Sequence, residues 1–158
     1  MPEVVVAITG ASGARYGVRL LDALCEAGWS SHLIITREGA INLDLECGIT
    51  PEELASNSLI TLEKNDNLAA RSASGSARFD AYIICPTSGT TIGKIAAGIS
   101  DNLATRSALV AMKERRKLIL VPRESPYATP HLRAMANLSE WGVVILPASP
   151  AFYNKPES

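Results

Sequence analysis

Apolar positions along this chain follow two rhythms that alternate. Val4–Thr9 is a β-branched run of strand length, and Arg15–Ala27 after it repeats its apolar residues at helical spacing. His32–Thr36 predicts a second strand and Glu38–Cys47 a second helix. Thr50-Pro51-Glu52-Glu53 sets a capping hydroxyl, a proline at the first helical position and two acids in the first turn, which predicts a further short helix. Ser72–Ser76, SASGS, is the one segment with the composition of a flexible link. Beyond it Ala81–Cys85 reads as a buried strand, Thr90–Ala97 and Leu103–Glu114 as helices, Lys117–Val121 as a strand, Pro130–Glu140 as a helix and Val143–Leu146 as a last strand. This alternation predicts a three-layer α/β fold of Rossmann or flavodoxin style, a mostly parallel sheet with helices on both faces.

Cations crowd one stretch of that pattern. Leu118–Val121, closed by Pro122, has Arg115, Arg116 and Lys117 leading into it and Arg123 beside Glu124 following it. Open α/β sheets bind ligands beyond the carboxyl ends of their strands, which is where Arg123 and Glu124 fall. The planar fork of an arginine there suits a phosphate or carboxylate. Arg106 and Lys113 are seven residues apart in a predicted helix and share one face. Arg115, Arg116 and Lys117 read equally as a solvated basic helix end.

Composition narrows the classes. The 158 residues form a single domain, 1–158, long enough to bury roughly 70% of the unfolded chain's surface. An apolar fraction of 47% excludes disorder, and a net charge of −1 makes the cations a local feature and excludes a general nucleic-acid footprint. No apolar run approaches the ~20 residues of a membrane span, and the N-terminus enters a strand without a signal peptide's pattern. Cys25, Cys47 and Cys85 show no C-x-x-C spacing, which fits reduced thiols and a cytoplasmic location. With His32 and His131 far apart as well, no metal site is expected.

Three loops after predicted strands carry candidate chemistry. Thr9-Gly10-Ala11-Ser12-Gly13-Ala14 opens a helix and can turn tightly, so its amides favour a phosphate or another electron-rich group. It departs from G-x-G-x-x-G, and Thr36-Arg37 lacks the acid that would hold the ribose of NAD. Pro86-Thr87-Ser88-Gly89-Thr90-Thr91 sets four hydroxyls around a glycine, either a neutral phosphate cradle or a plain helix cap by Ser88 or Thr90. Pro147–Pro156 is proline-rich with Phe152 and Tyr153, a pair that either packs on a neighbour or covers a flat ligand.

As an ordered set these residues are familiar. G-A-S-G-A-x-Y-G at 10–17, P-x-S-x-x-T at 86–91, D-N-L-x-x-R at 101–106, K-E-R-R at 113–116, P-R-E-x-P at 122–126 and P-A-F-Y-x-x-P at 150–156 span the chain nearly end to end. Together they resemble the UbiX-type flavin prenyltransferases, within the wider flavoprotein family that includes flavin-dependent cysteine decarboxylases. The related phosphopantothenoylcysteine and lantibiotic decarboxylases look less similar, since they carry an early His and a Met/Asn clamp that are not recognisable here.

The resemblance implies transfer of a dimethylallyl group from dimethylallyl phosphate to FMN, with prenylated FMN delivered to a UbiD-type decarboxylase. It further implies flavin contacts from Gly10, Ala11, Ser12, Thr36, Ser88, Gly89, Thr90, Thr91 and Arg123. Ser12, Arg106, Lys113, Glu124 and Tyr153 match positions near the prenyl phosphate, and Glu46 matches an acid at the prenyl site. Of these, Ser12, Glu46, Lys113 and Glu124 are the expected catalytic residues. Arg106 and Lys113 can stabilise charge developing on the leaving phosphate. Glu124 either moves a proton to that phosphate or organises Lys113 and Arg123. The allyl cation has to be shielded from water, which calls for an apolar lid. No magnesium is expected for a monophosphate. The resemblance also implies a homo-oligomer, commonly a dodecamer, with the site at a subunit interface. Arg71–Ser76 and the Phe152–Tyr153 loop, read as small or apolar and exposed, are expected at its subunit contacts. Family members continue for roughly another helix bearing a basic residue, whereas this sequence stops at Ser158. Other enzymes on the same scaffold, a flavin-dependent decarboxylase or reductase, and a non-catalytic FMN-binding protein are the alternative readings.

Overall fold

The computed structural model describes residues 1–157. Its six strands are β1 Glu3–Ile8, β2 Ser30–Ile35, β3 Ile60–Lys64, β4 Ala81–Thr87, β5 Leu118–Pro122 and β6 Val144–Ile145. They form one sheet in the order β3-β2-β1-β4-β5-β6, every pair parallel. The helices are α1 Ala14–Glu26, α2 Arg37–Cys47, α3 Pro51–Leu54, α4 Gly89–Ala96, α5 Leu103–Lys113 and α6 Thr129–Glu140, with a 3-10 turn at Arg71–Ala73. This is a doubly wound fold, in which the chain runs outward through β1, β2 and β3 and then crosses back to β4, β5 and β6.

Each sheet face buries its own core. Val4, Val6, Ile8 and Leu33 pack with Leu21 of α1 and Leu54 of α3 on one side. Val5, Ile34, Tyr82, Ile84, Leu118 and Leu120 pack under α4, α5 and α6 on the other, through Ile92, Ile95, Ala104, Ala108 and Leu138. The central strands are apolar on both faces because both faces are covered.

Two expectations need correction. The sequence reading has five strands, but Ile60–Lys64 is a sixth, paired with β2 at the sheet edge. Its sequence ITLEK is half polar because an edge strand needs little apolar surface. Ser72–Ser76 is not a flexible link. Ser72 is fully buried and donates its hydroxyl to Glu63, and Glu63 accepts from His32 Nδ1 at 2.8 Å. Arg71 pairs with Glu3 at 2.7 Å, donates to His32 Nε2 at 3.2 Å and lies over the Phe79 ring. These bonds pin the crossover from β3 to β4 onto the sheet.

Candidate functional site

The reversal of winding opens a crevice beyond β1 and β4, and the two loops that leave these strands are stitched together there. Thr9 Oγ1 donates to Pro86 O at 2.8 Å and accepts from Ser88 N at 2.8 Å. A cavity of about 320 Å³ lies beside this stitch, lined by Gly10, Thr36, Arg37, Glu38, Asn65, Ser88, Thr90, Thr91, Lys94 and Asn102. A shallower hollow of about 410 Å³ adjoins it, sharing Arg37, Asn65 and Asn102.

Three of the lining residues are helix caps. Thr36 caps α2 by accepting from Gly39 N at 3.0 Å, Ser88 caps α4 by accepting from Thr91 N at 3.2 Å, and Asn102 caps α5 by accepting from Thr105 N at 2.9 Å. Three helix starts therefore turn their positive ends toward one space. Of the two readings left open for Ser88, the cap is realised, but capping occupies only acceptor capacity. The hydroxyl hydrogens of Thr36 and Thr90 remain available to a ligand, while Ser88 and Thr91 share one between them at 2.8 Å.

Close approach explains two of the glycines. A Cβ on Gly10 would stand 2.5 Å from Cβ of Glu38, so only glycine lets this loop press on the first turn of α2. A Cβ on Gly89 would overlap the imidazole of His131, which α6 lays across the start of α4. Thr9, His131, Asn65, Asn102, Lys94, Arg37 and Glu38 are not among the site residues expected from the sequence. Asn102, at the head of D-N-L-x-x-R, carried the one usable signal, a capping residue before an apolar helix.

Glu46 arrives from the last turn of α2. Its Oε1 accepts from Gly13 N at 2.8 Å and from Ala14 N at 3.0 Å. Gly13, the N-cap of α1, sits at φ 114° and has no side chain to cap with, so Glu46 supplies the missing acceptor. Arg123 stands beside this loop, its Cγ within 3.8 Å of where a Gly13 Cβ would lie. Ser12, Arg123 and Glu124 are exposed, with Glu124 accepting from Ser125 N at 3.0 Å. Burial and the neighbouring Glu124 both push the Tyr127 phenol up. The structure thus collects Gly10, Ala11, Ser12, Glu46, Arg123 and the Ser88–Thr91 loop at the carboxyl end of the sheet.

It does not bring Lys113 there. Lys113 ends α5, whose 11 residues run about 16 Å away from the Asn102 cap. At that far edge its Nζ pairs with Glu114 at 2.6 Å, over Gly75. Arg106 sits one turn into α5, and its buried Nε has no hydrogen-bond partner. Tyr153 is 91% exposed and Phe152 80%. Cys25, Cys47 and Cys85 are free thiols, and burial pushes Cys85 up to about 11, so it is inert as a nucleophile. Among the described residues no three His, Cys, Asp or Glu side chains are grouped to hold a metal, and no helix is long and apolar enough to cross a membrane.

Comparison with known proteins matches the Flavoprotein family over residues 1–156. The flavin prenyltransferase UbiX of Thermoplasma acidophilum is 47% identical over 156 residues, which is 99% of this chain and 85% of that protein. The Pseudomonas aeruginosa flavin prenyltransferase UbiX is 40% identical over 172 residues, covering 99% of this chain and 82% of that protein. Among solved structures, AnUbiX in complex with FMN and dimethylallyl pyrophosphate superimposes with a TM-score of 0.94 at 37% identity, over 99% of this chain and 83% of that one. A dodecameric FMN-dependent UbiX-like decarboxylase from Escherichia coli O157:H7 gives 0.93 at 41% identity, over 99% and 85%.

Proposed function

The chain belongs to the flavoprotein family, and on that premise we propose that it is a flavin prenyltransferase, which moves the dimethylallyl group of dimethylallyl phosphate onto reduced FMN. One observation carries the reading: three helix starts, two cations and a set of hydroxyls converge on one cavity at the switch of the sheet. That donor set fits the phosphate of FMN, and the glycines at 10 and 89, packed against Glu38 and His131, hold the cavity's loops in place. The relatives named as flavin prenyltransferases, and the related structure holding FMN with dimethylallyl pyrophosphate, support the same assignment.

Thr36, Ser88, Gly89, Thr90 and Thr91 would hold the flavin phosphate, and Gly10, Ala11, Ser12 and Arg123 would contact the rest of the flavin. Reduced FMN supplies the electron-rich ring that accepts the allyl carbon. As the allylic C–O bond breaks, its electron pair leaves with the phosphate, and fixed cations stabilise that charge without reorganising. Arg106, Lys113 and Tyr153 bind the leaving phosphate, Glu124 handles its proton, and Glu46 holds the Gly13–Ala14 amides at the prenyl end. Because Lys113 lies at the far edge of its own chain, it reaches a prenyl phosphate only from a second copy. A homo-oligomer with sites at subunit contacts, as the dodecameric relative allows, meets that need. The single domain 1–158 carries these residues, the assembled copies complete the site, and the product goes to a UbiD-type decarboxylase in the cytoplasm.

Incubation of the protein with reduced FMN and dimethylallyl phosphate, followed by mass spectrometry of the flavin, tests the reading. A flavin heavier by one C5 unit is expected, with less product from the pyrophosphate ester. A decarboxylase, a reductase or a plain FMN-binding protein leaves the flavin mass unchanged.

A further inference from the structure

Lys94 lines the proposed flavin-phosphate cavity, four residues after Thr90 on the same face of α4. Its ammonium lies 3.1 and 3.2 Å from the two carboxylate oxygens of Asp101, just before the Asn102 cap of α5. Resting on the FMN reading above, we propose that Lys94 is a specificity-determining residue: it leaves Asp101 to grip the flavin phosphate, and so selects FMN over flavins without one.

The charge balance of the cavity points to this residue. Its lining holds Arg37 and Lys94 against Glu38, two cations to one carboxylate. Without Lys94 the lining is electrically balanced, and while Lys94 is paired with Asp101 its charge is largely neutralised there, so it favours an anion fully only when that pair opens. The helix starts favour a phosphate over an alcohol through partial charges alone. A phosphate monoester brings a charge of about −1.5 to −2 at pH 7. The full charge of Lys94, once freed from Asp101, adds the larger share of the discrimination between the two ligands.

The ion pair with Asp101 suits such an exchange. The two side chains are 31% and 55% exposed. A pair this wet stabilises the fold little, so giving it up for a phosphate costs little. Asp101 meanwhile keeps the ammonium at the mouth of the cavity instead of free in solvent. An ammonium carries three rotatable donors on a flexible stem, and two are engaged by Asp101. It can follow a tetrahedral phosphate in any orientation.

Titration of the full-length protein with FMN and with riboflavin, monitored by flavin fluorescence, tests the assignment. Lys94→Met keeps the stem and removes the charge. It is expected to weaken FMN roughly tenfold and riboflavin less than twofold, while Lys94→Arg restores most of the preference for FMN. If wild-type protein prefers FMN and Lys94→Met keeps that preference in full, Lys94 does not grip the phosphate and the inference falls while the FMN reading stands. If wild-type protein binds riboflavin as tightly as FMN, the phosphate cavity is misassigned and both fall. A higher salt concentration should erode the wild-type preference and leave the Lys94→Met ratio nearly unchanged.

Discussion

Gly89 lies beneath the imidazole of His131, so close that a Cβ on the glycine would meet Nδ1 at 2.5 Å. The contact locks the start of α4 to α6 at the lip of the phosphate cavity. Gly89→Ala should therefore destabilise the fold by about 1–3 kcal/mol, as overpacking does. The loss should be largely recovered in the double variant with His131→Ala, because the added methyl then occupies the vacated ring space. Chemical denaturation of the four proteins measures the coupling, and additive losses would show that His131 is not the obstacle.

Glu46 has a structural duty that its chemistry conceals. Its Oε1 closes the open end of α1, and a glutamine presents the same oxygen. Glu46→Gln should keep the melting temperature and the bound flavin, whereas Glu46→Leu should cost about 0.5–2 kcal/mol, the range for a lost cap. Prenyl transfer by Glu46→Gln then isolates any acid–base role. Full activity in that variant would leave Glu46 a positioning residue alone.

Lys113 and Arg123 lie at opposite ends of the sheet, before and after β5, so on the proposed shared site loss of either should be complemented in trans. Lys113→Ala should retain yellow flavin and lose about 2–4 kcal/mol of barrier lowering, as for other deleted electrostatic donors. Arg123→Ala should lose flavin. Co-refolding the two inactive proteins should recover a fraction of activity, because some mixed contacts pair an intact Arg123 with an intact Lys113. No recovery at any mixing ratio would place both residues in one chain's site.

Acid should loosen the crossover between β3 and β4 first. Burial alone raises the Glu63 carboxyl, but hydrogen bonds from His32 and Ser72 outweigh burial and hold it below the ordinary glutamate range. A depressed carboxyl contributes stability that is present above its unfolded pKa of roughly 4.3 and is lost as pH falls through the folded value. Glu63→Gln should flatten that part of the stability–pH curve. Amides around Ser72 should exchange earlier than those of β1 as the pH drops toward 4, and simultaneous exchange would contradict this.

The strands β1, β2, β4 and β5 were legible because each is a buried apolar run flanked by turn residues, and Thr50-Pro51 announced α3 directly. β3 was hidden because Ile60 and Leu62 alternate with polar residues over only five positions. The cradle loops were readable as loops, since Ser, Thr and Gly after a strand have few other uses. What they grip together was not, because Thr36, Ser88 and Asn102 meet only through the strand order. The seven-residue spacing of Arg106 and Lys113 correctly gave one helix face. It could not say that the helix carries Lys113 away from the crevice, which follows from the antiparallel run of a crossover helix against its strands. Glu46 was placed by resemblance alone, for nothing in its neighbourhood shows that a glycine 33 residues earlier lacks a cap.

The cavity ringed by three caps draws its wall from both ends of the chain's route. Gly10, Thr36 and Asn65 belong to the half built before the crossover, and Ser88, Lys94 and Asn102 to the half built after it. A phosphate seated there would add a polar bridge between two half-sheets that already share the β1–β4 seam and the core under α4, α5 and α6. Filling the cavity should therefore raise the melting temperature of both halves together, because its wall belongs to each of them.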